Sequence, residues 1–300
     1  MRNWPATAEP GVLTLVAFKA GMTHVGIIDD SNSPSKGQEV SRAATVLVIP
    51  KMFVYGARFY KKNYLYSQAA TDVFDTAAAQ KLGMKNAKHS SMEETKKKAS
   101  EYSDVVALAY ADPESLKMGI KKTLRFEIPV GGKDISGKIA FIEKVMGKEL
   151  KLAELLNSGD MIDVTSVSKG KGWEGPVHRF HVAKLYHKST GKTRHVGSLG
   201  AWHPAKVLFS VPQAGHLGFN YRTEINKRVL KVGTVQDANT VTPAGGFLRF
   251  GMINNDYLLV DGSIPGASKR LVRIRRALRQ KGKSAVPKIT YVSLESKQGA

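Results

Sequence analysis

One segment limits most strongly what this chain can fold into. Over the 64 residues Ser168–Lys231, apolar residues follow neither the two-residue period of a strand nor the 3.6-residue period of a helix. A stretch of that length without regular structure is uncommon inside a compact domain. The segment also carries Trp173 and Trp202, whereas disordered chains are usually poor in aromatic residues. We therefore expect this segment to be ordered by a partner.

The distribution of charge indicates which kind of partner that is. The 300 residues have a formal net charge of +21. Residues 1–167 contain 23 basic and 19 acidic side chains, whereas residues 168–300 contain 23 basic and only six acidic side chains. Such a surplus favours a polyanion, most commonly nucleic acid and otherwise an anionic membrane surface. Basic residues interleaved with rings favour RNA, because rings and guanidinium planes stack on unstacked bases.

Other classes of protein are excluded by what the sequence lacks. Without cysteine there is no disulfide scaffold, thiolate zinc site or cysteine nucleophile. No apolar run reaches the roughly 18 residues that a membrane-spanning helix needs. Residues Met1–Gly11 lack the apolar core of a secretory signal. We therefore expect a cytoplasmic protein with no membrane partner.

On both sides of the basic segment the sequence predicts mainly β structure. Two β-branched runs, Val12–Phe18 and Thr23–Ile28, predict two strands that are separated by the three residues Lys19-Ala20-Gly21, with Met22 before the second run. Further along, Phe247–Met252 and Tyr257–Val260 predict a hairpin. In Leu271–Arg275, arginine and aliphatic residues alternate, so a strand there would present its arginines on one face.

Helical patterns occur before the basic segment. Ser91 and Glu94 have the spacing of a capping box at a helix N terminus. From Ile139 onwards, apolar residues recur at helical spacing. We expect that helix to continue through Leu156 and to end at Gly159.

The run Gly170–Gly175 has the GxGxxG form of a dinucleotide-binding loop. That loop also requires a following helix and an acidic residue about 20 positions later. Here Pro176 follows at once, and the next acidic residue after Glu174 is Glu224. We interpret the run as a glycine turn that lets a lysine-bearing backbone approach phosphates, with a plain glycine turn as the alternative.

The histidines of the segment suggest a metal site, but the other ligands are missing. His178 and His181 have neither a thiolate nor a carboxylate at ligand spacing. For nucleophilic catalysis, only Glu224 is available to orient a histidine. We therefore expect no metal, no cofactor and no catalytic residue.

Several long stretches resemble the universal large-subunit ribosomal protein three family of the archaeal and eukaryotic type. They follow one another in the family's order and together extend over nearly the whole chain. The stretches are Lys19–Pro34, Ser168–Leu185, Gly200–Gly233, Gly245–Arg279 and Tyr291–Gly299.

The resemblance implies a mixed, mainly β fold. Its core would be a small translation-protein-type β-barrel, with an α/β insert and a long, irregular extension that penetrates rRNA. Residues 1–50, 123–167 and 232–300 would form the barrel region, 51–122 the insert and 168–231 the extension. The resemblance also implies binding to large-subunit rRNA early in assembly, with Trp202 at the extension tip near the peptidyl-transferase centre.

We therefore expect a non-catalytic, structural rRNA-binding protein, present in the ribosome in one copy beside other large-subunit ribosomal proteins. The residues expected to contact phosphates are Lys169, Lys171, Arg179, Lys184, Lys188, Lys192, Arg194, Lys206, Arg222, Lys227 and Arg228. Those expected to pack against nucleotides are Trp173, Trp202 and His203. A second rRNA-facing surface is expected at Arg270, Arg273, Arg275, Arg276 and Arg279. The alternatives are a stand-alone RNA-binding assembly or translation factor, and a nucleotide-dependent enzyme that uses Gly170–Gly175.

Overall fold

The computed structural model describes residues 7, 10–62, 67–84, 90–152, 155–189, 191–280 and 285–296. The chain is mainly β, as predicted. Its strands are β1 (Thr14–Ile28), β2 (Glu39–Val48), β3 (Lys51–Lys62), β4 (Ser67–Phe74), β5 (Asp104–Asp112), β6 (Leu124–Pro129), β7 (Met161–Val167), β8 (Trp173–Glu174), β9 (Gly215–His216), β10 (Tyr221–Gly233), β11 (Tyr257–Asp261), β12 (Leu271–Arg276) and β13 (Ile289–Val292). Its α-helices are α1 (Thr76–Lys81), α2 (Met92–Lys97), α3 (Ile135–Val145) and α4 (Pro176–Phe180).

Contacts divide the chain into two units. The first unit is Met1–Ser166 with Thr223–Ala300, and the second is Val167–Arg222. The last nine residues of the range expected for the extension, 223–231, thus belong to the first unit. The reason is that β10 buries Val229 and Leu230 in the hydrophobic core of that unit.

Seven strands form the main sheet, in the order β12-β7-β10-β11-β2-β1-β13. Strand β1 also pairs with β12, so that Val16 lies opposite Arg273. The six strands from β12 to β1 therefore form a closed series, because its two end strands pair with each other. Strand β13 is a seventh strand that pairs with β1 outside this series.

Strand β1 is continuous, so the prediction of two separate strands was wrong. The three residues between them form an irregularity at Lys19 and Gly21, where the register with β2 shifts. A β carbon on Gly21 would lie 2.5 Å from the ring of Phe247. Gly21 therefore permits a close approach inside one long strand and does not end it.

The main sheet buries apolar residues on both of its faces. Along β11, Leu258 and Val260 belong to one hydrophobic cluster and Tyr257 and Leu259 to the other. Successive side chains of a strand point to opposite faces, which explains why this run is continuously apolar. The prediction of a hairpin here was wrong: Phe247 and Gly251 close a tight turn, and β11 pairs with β10 and β2.

A second, antiparallel sheet has the order β4-β3-β5-β6. Helix α3 contributes Ile139 and Ile142 to the cluster that also contains Phe59 of β3. The helix ends at Val145, earlier than predicted. The next residues leave the helix because Gly147 has φ +76° and its N–H donates to the carbonyl of Val54.

The predicted helix start at Ser91 is confirmed, since its hydroxyl accepts a hydrogen bond of 3.3 Å from the N–H of Glu94. In the part of the chain that the structure describes, no helix is long and apolar enough to cross a membrane.

Candidate nucleic-acid interface

The second unit begins as a narrow stem of two paired chain segments. The N–H of Ser168 donates to the carbonyl of Asn220 at 2.8 Å, and the N–H of Lys171 donates to that of Leu217 at 3.0 Å. Beyond them β8 pairs with β9, so that Trp173 lies opposite His216. The segment predicted to lack regular structure therefore has a hydrogen-bonded base.

The glycines of this stem allow its two backbones to approach each other. Gly218 has φ +75°, and a β carbon there would lie 2.1 Å from the carbonyl oxygen of Lys169. Within Gly170–Gly175, the N–H of Lys171 is used in pairing, and helix α4, which follows, has five residues. This arrangement lacks the long helix whose N terminus holds a pyrophosphate in dinucleotide-binding folds.

The second unit has no hydrophobic core among its described residues. Of these, only Pro176 and Gly215 are buried, and none belongs to the hydrophobic clusters of the chain. Folding without a core leaves the ordering entropy of the chain without its usual compensation. Burial of apolar side chains within the described residues of this unit therefore offsets little of that entropy.

Large apolar side chains of this unit face outwards. Trp202 is 88% exposed, Trp173 is 78% exposed and Phe209 is fully exposed. Exposed apolar side chains in such numbers mark an interaction surface. His203, beside Trp202, is also exposed, and the two rings lie edge to face with centroids 6.5 Å apart.

Most of the predicted cations of the unit are available to a partner. They are exposed, and within the described residues they form no ion pair; they are Lys169, Lys171, Lys184, Lys188, Lys192, Arg194, Lys206 and Arg222. Arg179 differs because its Nη1 donates to the carbonyl of Gln213 at 2.9 Å and its guanidinium lies 4.9 Å from the ring centre of Phe180.

Two predicted phosphate contacts, Lys227 and Arg228, lie in the first unit and have internal partners. The Nζ of Lys227 is 2.7 Å from a carboxylate oxygen of Glu224. Arg228 forms a two-pronged pair with Asp30 and donates to the carbonyl of Ala285 at 2.6 Å. The hydrogen bond to Asp30 raises the pKa of the Arg228 guanidinium. These contacts fix Arg228 within the fold.

The second predicted rRNA-facing surface lies on β12 and the residues next to it. Val272 and Ile274 are buried and Arg273 is exposed, so the predicted alternation is confirmed. Arg275 binds the buried carboxylate of Asp163, at 3.2 Å from Nε and 3.1 Å from Nη2.

The remaining arginines of this surface differ in exposure. Arg276 donates twice to the carbonyl of Leu155, at 3.2 and 2.9 Å. Arg270 is half-buried. Arg273 and Arg279 are therefore the members of this set that are exposed and have neither an ion pair nor a side-chain hydrogen bond within the described residues.

A family model described as Ribosomal protein L3 matches residues 1–299 of the chain. The chain belongs to this family. It is 37% identical over 310 residues to the large ribosomal subunit protein uL3 of Methanothermobacter thermautotrophicus, covering 100% of this chain and 92% of that protein. The uL3 proteins of Methanothrix thermoacetophila and Methanoregula boonei are each 39% identical, over 311 and 314 residues, with 100% and 99% of this chain and 92% of each relative covered. The family predicted from the motifs is thus confirmed.

Sequence reasoning missed some exposed rings of this L3-family chain. Phe209, Phe219 and Tyr221 are not among the residues predicted to pack against nucleotides, yet all three are largely exposed. Their lack of any apolar period, together with the neighbouring glycine of Phe219, is the signal that could have identified them as surface residues.

Among the described residues of this L3-family chain, the histidines do not form a metal-binding cluster. His178 lies 3.0 Å from a carboxylate oxygen of Glu174, four residues earlier. Within the described ranges, no group of three or more His, Asp or Glu side chains is arranged to hold a metal ion.

Proposed function

We propose that this chain binds large-subunit rRNA through its second unit and through two exposed arginines, Arg273 in β12 and Arg279 just after it, without catalytic activity. Family membership makes it a structural protein of the large subunit, located in the ribosome in the cytoplasm. The rRNA contacts and the part the protein plays in early assembly belong to the proposal.

The observation that carries the proposal is that the second unit exposes rings and cations and has no core. A base stacked on an aromatic side chain contributes about 1–3 kcal/mol, and phosphates neutralise lysine and arginine. rRNA therefore supplies both of the interactions that this unit cannot make with itself. A protein partner would satisfy the rings but would need many carboxylates for the eight exposed cations.

The architecture is part of the same proposal. The closed series of strand pairings supports a translation-protein-type β-barrel formed by residues 1–50, 123–167 and 232–300, together with β10, most of which lies in the range predicted for the extension. Residues 51–122 would be the α/β insert, and 168–231 the extension. The exposure of Trp202 supports its position at the extension tip, near the peptidyl-transferase centre.

Sedimentation of ribosomal subunits in high salt tests the proposal. The chain is expected to remain with the large subunit in one copy, beside rRNA and the other large-subunit proteins. Loss from the subunit in high salt would favour a stand-alone assembly or translation factor. Saturable binding of labelled nucleotides in equilibrium dialysis would instead favour the alternative of a nucleotide-dependent enzyme that uses Gly170–Gly175.

A further inference from the structure

An open groove of about 1010 Å³ lies in the first unit, and its lining shares one residue, Arg276, with the second predicted rRNA-facing surface. One wall is the segment that contains Val12, and the other is the end of α3 with the residues that follow it. Sites for small ligands are typically clefts of roughly 300–1,000 Å³ that enclose most of the ligand. A groove of this size that is open to solvent fits a length of chain better than a small molecule.

The floor of the groove is mainly aliphatic. Val12, Val145 and Leu155 line it together with a single ring, that of Phe141. All four are partly buried and pack against the larger hydrophobic cluster, so each leaves some apolar surface uncovered. Such a floor is typical of grooves that receive the apolar face of a peptide segment.

The rim of the groove is basic. Lys144, Lys148 and Lys151 are exposed and have no ion pair within the described residues, and Arg276 adds a fourth cation. Among the described residues of the lining, Glu149 is the one carboxylate. This concentration is local, since residues 1–167 have a net charge of only +4.

The geometry points to an acidic, amphipathic segment of another polypeptide as the occupant of this groove. Its apolar side chains would cover the aliphatic floor, and its Asp and Glu side chains would reach the three lysines. An apolar centre with a polar, charge-complementary rim is the usual anatomy of a protein–protein interface. RNA fits less well: single-stranded RNA is recognised by stacking on rings and arginine planes, and the described floor has one ring, whereas duplex RNA would contact the lysines through phosphates but leave the aliphatic floor uncovered.

Photo-crosslinking in cells tests this inference on the full chain. Phe141, which is partly buried in the groove, is replaced by p-benzoylphenylalanine, which keeps an aromatic side chain. Tyr291 of β13 is replaced in the same way as a control, because it is an accessible aromatic side chain outside the groove. Cells are irradiated, and the crosslinked products are separated on a gradient and sequenced by mass spectrometry. The expected result is a crosslink from position 141 to a segment rich in Asp and Glu of another protein.

Four outcomes would overturn the inference. They are a crosslink to rRNA, a crosslink to this chain itself, a crosslink to a segment without acidic residues, and a yield no higher than at position 291. The same gradient shows whether the chain sediments with large subunits, so failure of the proposed function is seen separately.

Charge reversal supplies a second measurement. Changing Lys144, Lys148 and Lys151 together to Glu is expected to lower the crosslink yield about threefold or more, since three exposed ion pairs are lost. The matched control changes Lys81, Lys97 and Lys98 to Glu, which alters the net charge equally outside the groove. Equal yields from the two triple variants would contradict the charge argument.

Discussion

Neutralising four cations of the second unit is expected to halve that unit's contribution to the salt dependence of RNA binding, to which Arg273 and Arg279 of the first unit also add. The variant changes Lys184, Lys188, Lys192 and Arg194 to Gln. These are four of the eight exposed cations of this unit that form no ion pair within the described residues. Because they have no ion-pair partner there, the free energy of unfolding should change by less than about 0.5 kcal/mol per site.

The magnitude follows from counterion release. On single-stranded nucleic acid, each phosphate contact adds about 0.7 to the slope of log K against log salt concentration. Eight contacts then give a loss of about 3.4 decades in affinity between ~50 and ~200 mM salt, and four contacts a loss of about 1.7 decades. The difference is large enough to measure by fluorescence anisotropy with a labelled fragment of large-subunit rRNA.

The control neutralises four exposed lysines of the first unit, Lys36, Lys81, Lys97 and Lys98, and should leave the slope almost unchanged. If both variants lower the slope equally, the binding is a response to net charge alone. If neither does, the second unit does not contact phosphates and the reasoning is refuted.

Four further outcomes are expected. Trp202→Ala should enter large subunits in normal amount but slow peptidyl transfer, because the exposed ring has no core to support; a collapse in subunit yield would make it an assembly residue. Arg228→Met should lower the free energy of unfolding by about 1–2 kcal/mol in urea titrations, since Asp30 loses its partner, while leaving the RNA salt slope intact; an unchanged urea midpoint would count against this role. Limited trypsin digestion of the free chain should cut first within residues 167–222, which have no core, and first cuts elsewhere would contradict this. The free energy of unfolding should decline as the pH falls below about 4, because hydrogen bonds, the strongest from Ser35, hold the pKa of Asp29 below its ordinary value. The ionised Asp29 therefore stabilises the folded state above the pKa of the unfolded chain, and this stabilisation is lost when Asp29 is protonated. Asp29→Asn should weaken the pH dependence of the urea midpoint.

Local sequence patterns predicted a helix start and the two faces of a strand correctly. Ser91 caps its helix because the hydroxyl only has to reach the N–H three residues later. The alternation in β12 survives because Val272 and Ile274 have one buried face available to them. The helix cap depends only on neighbouring residues, whereas the strand needs one buried face, which its pairing with β1 and β7 provides.

The predictions that were wrong concern places where contacts with distant parts of the chain determine the structure. Nothing near Gly21 in sequence reveals that the ring of Phe247 packs there, so the glycine indicated a turn. The helix α3 stops at Val145 because the following residues hydrogen-bond to β3, about 90 residues earlier. Leu152, Leu155 and Leu156 keep a helical spacing while packing in other conformations.

The candidate site shows the same division. The sequence identifies which residues are basic, but only the fold shows that Arg228 and Arg275 are held by Asp30 and Asp163. Lys184 and Lys192, in contrast, lie where few carboxylates exist in sequence, and they remain unpaired within the described residues. A cation in an acid-poor stretch is therefore the safer prediction of a phosphate contact.

The pairing of β1 has a consequence for how the chain is made. This strand leaves the exit tunnel early, yet the partners on one of its edges, β12 and β13, end at residues 276 and 292. At a synthesis rate of about 5–20 residues per second, the nascent chain waits roughly 13–50 s for its last strand. Late in that interval the cationic second unit has been synthesised, while the edge of β1 is still open. A chain of this topology is exposed to misassociation before release, and an early ligand for either surface would shorten the vulnerable period.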